Sequence, residues 1–136
     1  NRELDRVRLS GMTVLCLDNE LAILDGMESL LVGWGCRVLK AADIENAIAA
    51  IEQAGVTPDS LLVDYHLNHG NGIDAVRHLR HLLGADLTAI LITADGSPHV
   101  RAEARANDIQ VLHKPLKPAA LRALLTQWRV QQVAAE

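Results

Sequence analysis

The sequence predicts an α/β domain in which five parallel strands alternate with five helices that cover both faces of the sheet. Three observations carry this expectation. Short apolar runs recur along the chain, and between them apolar residues fall at the three- and four-residue spacing of a helix. The run Leu61-Leu62-Val63-Asp64 is apolar until it stops at a carboxylate, as a strand buried on both faces does where it emerges at the sheet edge. The 136 residues are 49% hydrophobic and 22% charged, enough for one full core and no second domain.

Thr13-Val14-Leu15-Cys16-Leu17 is the first strand, ending at Asp18-Asn19-Glu20. Leu21, Leu24, Met27, Leu30 and Leu31 then fall on one helical face, closed by Gly33 and Gly35 around Trp34. Residues 36–41 form a second strand. Asp43 caps a helix with apolar face Ile44, Ala47, Ile48 and Ile51, and Gly55 lies past its end. Pro58 introduces the strand ending in Asp64, and a polar loop to Gly72 leads to a third helix on Ile73, Val76, Leu79 and Leu83. Arg77, His78, Arg80 and His81 are assigned to the outer face of that helix. The fourth strand runs from Thr88 to Thr93. Ser97 then caps, and Pro98 opens, a helix reaching about Ala106. Residues 110–113 form the fifth strand, and Lys117-Pro118 leads into a last helix carrying Leu121, Leu124, Leu125 and Trp128. Residues 1–11, charged at the start, are expected to be a linker or helix extension, 12–132 the folded domain, and 133–136 a tail.

Composition excludes several classes of function. A net charge of −4 argues against binding nucleic acid through bulk electrostatics. No apolar run approaches the roughly 20 residues that span a bilayer, and no signal-peptide pattern follows the polar start, so a cytoplasmic segment without membrane contact is expected. Cys16 and Cys36 lack zinc-site spacing and read as buried, reduced thiols. His78 and His81 lie on a polar helix face and read as solvated, while Trp34 and Trp128 read as packing residues.

In a parallel sheet the ends of strands one, three, four and five share an edge, which brings together Asp18-Asn19, Asp64, Thr93 and Lys114. Two carboxylates and an amide oxygen make a hard oxygen site suited to Mg²⁺, and a hydroxyl and an ammonium beside it suit a transferring phosphoryl group. Asp64 is the expected nucleophile. Acids after strand one can also serve only to cap a helix; Asp64 precedes a loop, and a carboxylate ending a buried strand is costly unless paired or ligated.

Val14-Leu15-Cys16-Leu17-Asp18-Asn19-Glu20, Leu62-Val63-Asp64, Asn71-Gly72-Ile73-Asp74, Leu91-Ile92-Thr93-Ala94 and Lys114-Pro115-Leu116 together resemble the receiver domain of two-component response regulators. The resemblance covers about residues 12 to 130. It implies a flavodoxin-like (βα)5 fold with strand order 2-1-3-4-5. It also implies that Asp64 accepts a phosphoryl group from a phosphohistidine on a histidine kinase or histidine phosphotransfer domain, with Mg²⁺ held by Asp18, Asn19, Asp64 and the backbone carbonyl of His66. Thr93 and Lys114 would contact the phosphoryl oxygens, and the Lys114-Pro115 bond resembles the family's cis peptide. His66 and Asp95 are expected to tune the site from either flank. The fourth and fifth helices are the family's usual output and dimer surface, where Arg101, Arg105 and Arg122 are read as a solvated face.

This sequence departs from the family in placing Asn19 where a second acid is usual, Val111 where a switch aromatic is usual, and His69-Gly70-Asn71-Gly72 where a Pro-Gly pair is common. Leu17-Asp18-Asn19-Glu20 and Gly33-Trp34-Gly35-Cys36 are similar to receivers of hybrid histidine kinases. With the short end after the last helix and the start at Asn1, they lead to the expectation of a C-terminal receiver of such a kinase. The alternatives are a stand-alone regulator or phosphate sink, a small Mg²⁺-dependent phosphohydrolase using Asp18, and a degenerate receiver used only for protein contacts.

Overall fold

The structure, a computed structural model, describes residues 9–135. Five strands, β1 (Thr13–Leu17), β2 (Arg37–Ala41), β3 (Ser60–Asp64), β4 (Thr88–Thr93) and β5 (Gln110–His113), alternate with five helices. The helices are α1 (Leu21–Gly33), α2 (Ile44–Ala54), α3 (Gly72–Leu83), α4 (Pro98–Ala106) and α5 (Pro118–Ala135). The sheet is wholly parallel in the order β2-β1-β3-β4-β5. The three inner strands are buried at nearly every position, with apolar interiors and polar residues only at their ends, because both faces are covered.

Alternation along the strands divides the core in two. Leu15, Leu17, Leu61, Val63 and Leu91 point to one face, against Ala47 and Ile51 of α2, Ile73, Val76 and Leu79 of α3, and Val100 and Ala104 of α4. Val14, Cys16, Leu62, Ile90 and Ile92 point to the other, against Leu24, Met27 and Leu31 of α1 and Leu121 and Leu125 of α5. Trp34 and Trp128 are half-buried against this second layer. Both cysteines are free and buried, and burial pushes their thiols up to about 12 for Cys16 and about 11 for Cys36.

Helix ends follow the local chemistry. Asp43 accepts from the Asn46 N–H, Asn71 from the Asp74 N–H and Ser97 from the Val100 N–H, while Gly55 closes α2 in the left-handed conformation. Among the described residues no helix is long and apolar enough to cross a membrane.

Three expectations change. Residues 1–8 and 136 lie outside the described residues, but Leu9 is buried and belongs to the second core layer, so apolar packing begins before residue 12. Residues 133–135 continue α5 rather than forming a tail, because no glycine or proline follows Pro118 to stop the helix. Arg80 does not lie on the outer face of α3: its guanidinium turns inward to the carbonyls of Leu87, Asn107 and Asp108, whereas Arg77, His78 and His81 are exposed.

Candidate functional site at the carboxyl edge of the sheet

The order β1, β3, β4, β5 brings four strand ends to one edge, and the predicted residues arrive there together. Asp18 follows β1 and is 1% exposed, Asp64 ends β3 at 3%, and Thr93 ends β4 at 0%. Lys114, one residue past β5, reaches back until its Nζ lies 2.7 Å from Asp64 Oδ1. The contact is an ion pair at the distance of a charge-assisted hydrogen bond. The ion pair is the main reason the Lys114 ammonium is held above its usual range.

Asp18 divides its two oxygens. Oδ1 accepts the Glu20 N–H at 2.8 Å, which turns the chain into α1, and Oδ2 is buried with no partner. Glu20 itself stands at the N-cap position without a side-chain capping bond, so helix capping accounts for only half of the acid's environment. Burial, and behind it the charge of Asp64, raises the Asp18 carboxyl above its ordinary value. The buried Asp18 Oδ2, without a donor and set beside the charge of Asp64, is what a bound cation would satisfy. Among the described residues no three His, Cys, Asp or Glu side chains cluster as a metal site. A cation here would therefore rest on two carboxylates, neutral oxygens and water, a donor set that fits Mg²⁺.

The other predicted donors sit on the rim. Asn19 is exposed, and its amide donates to Asn68 Oδ1 at 2.9 Å, tying the turn after β1 to the loop after β3. That loop is shaped by its backbone: the Tyr65 N–H donates to Ile92 O, the Gly72 N–H donates to Tyr65 O, and His66 bridges Asn71. The bond runs through Tyr65, which leaves the His66 carbonyl oxygen outside it. The His66 ring is exposed and meets the Tyr65 ring edge-on, with centroids 4.9 Å apart. Lys114–Pro115 is a cis peptide.

Asp95 is more committed than a flanking residue. Its N–H donates to Thr93 Oγ1 at 2.8 Å, and its own Oδ1 accepts the Ser97 N–H at 2.9 Å. Val111, in the position of the missing aromatic, is half-buried on the first core layer. Sequence reasoning missed Asn68, whose role depends on a contact 49 residues away, and the inward turn of Arg80. The Arg122 guanidinium is exposed, as expected, but lies over the Trp34 ring at 5.5 Å, a contact without a sequence signal.

A family model for the response regulator receiver domain matches residues 14–126, spanning all five strands and the whole of this edge. The chain belongs to that family. Among known relatives, this receiver domain is 30% identical over 113 residues to the KDP operon transcriptional regulatory protein KdpE of Escherichia coli, covering 82% of this chain and 48% of KdpE. The chain thus spans about half the length of that relative. Among solved structures, the receiver domain superposes on a response regulator receiver domain protein from Clostridium thermocellum with a TM-score of 0.80 at 19% identity, covering 92% of this chain and 99% of the other. It superposes on the chemotaxis protein CheY4 of Vibrio cholerae with a TM-score of 0.75 at 24% identity, covering 85% and 97%. These likenesses establish the flavodoxin-like fold.

Electrostatics at this edge give a first prediction. Asp18 binds its proton more readily in the folded receiver domain than in the unfolded chain. Its contribution to stability is therefore greatest at pH below the ordinary carboxylate range and is lost as pH rises through the raised folded value. At neutral pH without metal the ionised group opposes folding. Asp18→Asn, whose amide oxygen can still accept the Glu20 N–H, is expected to stabilise the protein by roughly 1 kcal/mol, a few degrees in Tm. Mg²⁺ should raise the Tm of the wild type more than that of the variant. Thermal melts in chelator and in Mg²⁺ measure both, and a variant that melts below the wild type in chelator contradicts the account.

Proposed function

We propose that this receiver domain takes a phosphoryl group onto Asp64 from a phosphohistidine of a histidine kinase or histidine phosphotransfer domain. The observation that carries the reading is the Asp64 carboxylate: 3% exposed, paired through Oδ1 with Lys114 and set beside a second buried acid. In the transfer a carboxylate oxygen of Asp64 forms a bond to phosphorus as the bond from phosphorus to the imidazole nitrogen breaks, and that bond's electron pair returns to the ring. Lys114 neutralises charge gathering on the phosphoryl oxygens. The Thr93 hydroxyl, whose oxygen already accepts the Asp95 N–H, keeps its proton free to donate to one of them. Mg²⁺, held through Asp18, Asp64, Asn19 and the His66 carbonyl, would supply the remaining neutralisation of those oxygens.

Asp64 is favoured over Asp18 as nucleophile because Lys114 contacts Asp64, while Asp18 spends one oxygen on the Glu20 N–H. We assign the domain to a cytoplasmic phosphorelay, as the receiver of a hybrid histidine kinase, on the likeness of residues 17–20 and 33–36 to such receivers; a stand-alone regulator uses the same chemistry. Helices α4 and α5 remain the proposed dimer face.

Intact mass after incubation with acetyl phosphate tests the reading. One phosphoryl-sized adduct is expected, labile to hydroxylamine as an acyl phosphate is, present with Mg²⁺ and lost in chelator, and mapping to the peptide that contains Asp64. An adduct that forms equally well in chelator removes the metal from the mechanism. An adduct on another residue removes Asp64.

A further inference from the structure

The turn after β1 and the loop after β3 meet at two amides. Asn19 Nδ2 donates to Asn68 Oδ1 at 2.9 Å, and among the described residues the Asn19 side chain makes no other hydrogen bond. Asn68 is exposed, yet its place is fixed through its neighbours. Leu67 before it packs with Tyr65 against the first core layer, the His66–Asn71 bridge closes the neck of the loop, and Asn71 is committed to the Asp74 N–H at the start of α3. Asn68 therefore offers its oxygen from the tip of a short, pinned loop.

An amide beside a cation carries a demand that a carboxylate does not. Both oxygens of a carboxylate attract a cation, so either setting of its last torsion serves. An amide offers one oxygen and, on its other side, an NH₂ group that repels a cation, and its last torsion is roughly two-fold. The bond to Asn68 removes that ambiguity. It commits the NH₂ of Asn19 to the loop and leaves the amide oxygen as the group available to a cation held by Asp18 and Asp64.

We infer that Asn68 is a positioning residue for the cation site: it sets the orientation of the Asn19 amide, so that a neutral oxygen serves at a place where an acid is usual. The inference rests on the reading of Asp18, Asn19 and Asp64 as holding Mg²⁺. Groups that hydrogen-bond a metal ligand orient it and contribute to affinity without touching the ion. Because this bond is exposed, its contribution is at the lower end of what such groups supply. The two departures from an ordinary acidic site are thereby linked: the amide at position 19 depends on the amide at position 68, and an acid at position 19 would not.

Mg²⁺ binding to the unphosphorylated full chain, measured by isothermal titration with the metal alone, tests this through a double-mutant cycle. Asn68→Ala should weaken binding by about fivefold and leave the Tm in chelator unchanged, because residue 68 is exposed. Asn19→Asp should tighten binding by about tenfold through the added charge. In that background Asn68→Ala should change affinity by less than about twofold, since a carboxylate needs no orienting partner. Wild-type affinity in Asn68→Ala overturns the inference, and so does an equal loss in both backgrounds, which would assign Asn68 to the shape of the loop and not to the Asn19 amide. The side-chain NH₂ resonances of Asn19, identified by their loss in Asn19→Asp, should shift in Asn68→Ala without metal; unshifted resonances overturn the hydrogen bond itself. A wild type that binds Mg²⁺ while the cycle shows no coupling refutes the role of Asn68 alone. A wild type that binds no Mg²⁺ refutes the cation site and this inference with it.

Discussion

Asp64→Asn is expected to abolish the phosphoryl adduct, reducing uptake from acetyl phosphate by at least about a hundredfold, below detection by intact mass. The size of the effect follows from what the substitution leaves in place. Asparagine has nearly the shape of aspartate, so β3 and the packing around it need not move, but a neutral amide lacks the anionic oxygen that attacks phosphorus. Lys114, 2.7 Å from that oxygen in the wild type, loses its counter-charge at the same time. Asp18→Asn separates the acceptor from the metal donor. It leaves Asp64 intact while removing one charge from the cation site, so the adduct should form more slowly, by about ten- to a hundredfold, and still map to Asp64. The opposite pattern, with the adduct lost in Asp18→Asn and kept in Asp64→Asn, would transfer the chemistry to Asp18 and revive the phosphohydrolase alternative.

Gly72→Ala is expected to cost about 2–3 kcal/mol, lowering Tm by about 7–10 °C, and to slow phosphoryl uptake as well. Gly72 opens α3 with no unusual φ; its requirement is room. A Cβ there would overlap the Asp64 carbonyl oxygen and would come within 2.7 Å of Leu91 Cδ1. The leucine can rotate, but the Asp64 carbonyl belongs to the backbone that aims the acceptor. Relief has to come from moving the loop or the strand end. Gly26, exposed within α1 with nothing within 4 Å of the place a methyl group would take, is the control: Gly26→Ala should stabilise by about 0.5–1 kcal/mol through helix propensity. Thermal melts of the two variants, with acetyl phosphate uptake of Gly72→Ala, check the pair. A Gly72→Ala protein as stable as the wild type would show that the strand end is not held as tightly as its packing implies.

Much of this molecule is legible in its sequence. The alternation of strands and helices, the caps at Asp43 and Ser97, and the turn at Gly55 depend on neighbours a few residues away, and local sequence carries that information. The residues meeting at the sheet edge are legible for a related reason: a parallel sheet aligns its strand ends, so polar residues that end apolar runs must converge there.

Other features depend on groups far apart in the chain. Charge and helical spacing put Arg80 in water with Arg77 and His81, yet only Arg80 comes within reach of carbonyls at the end of α4, which it can satisfy without giving up its charge. Asp95 reads as a free acid on the rim until the turn into α4 sets the Ser97 N–H against it. The unequal treatment of the two oxygens of Asp18, and the pairing of Asp64 with Lys114, follow from how strands and loops close around them. Sequence by itself determined the fold, the strand ends and the kind of chemistry they can support, because periodicity and strand termination are local. Tertiary structure decided which oxygen is left without a donor and how the site is tied to α4, because burial and hydrogen-bond partners are fixed only when distant segments pack.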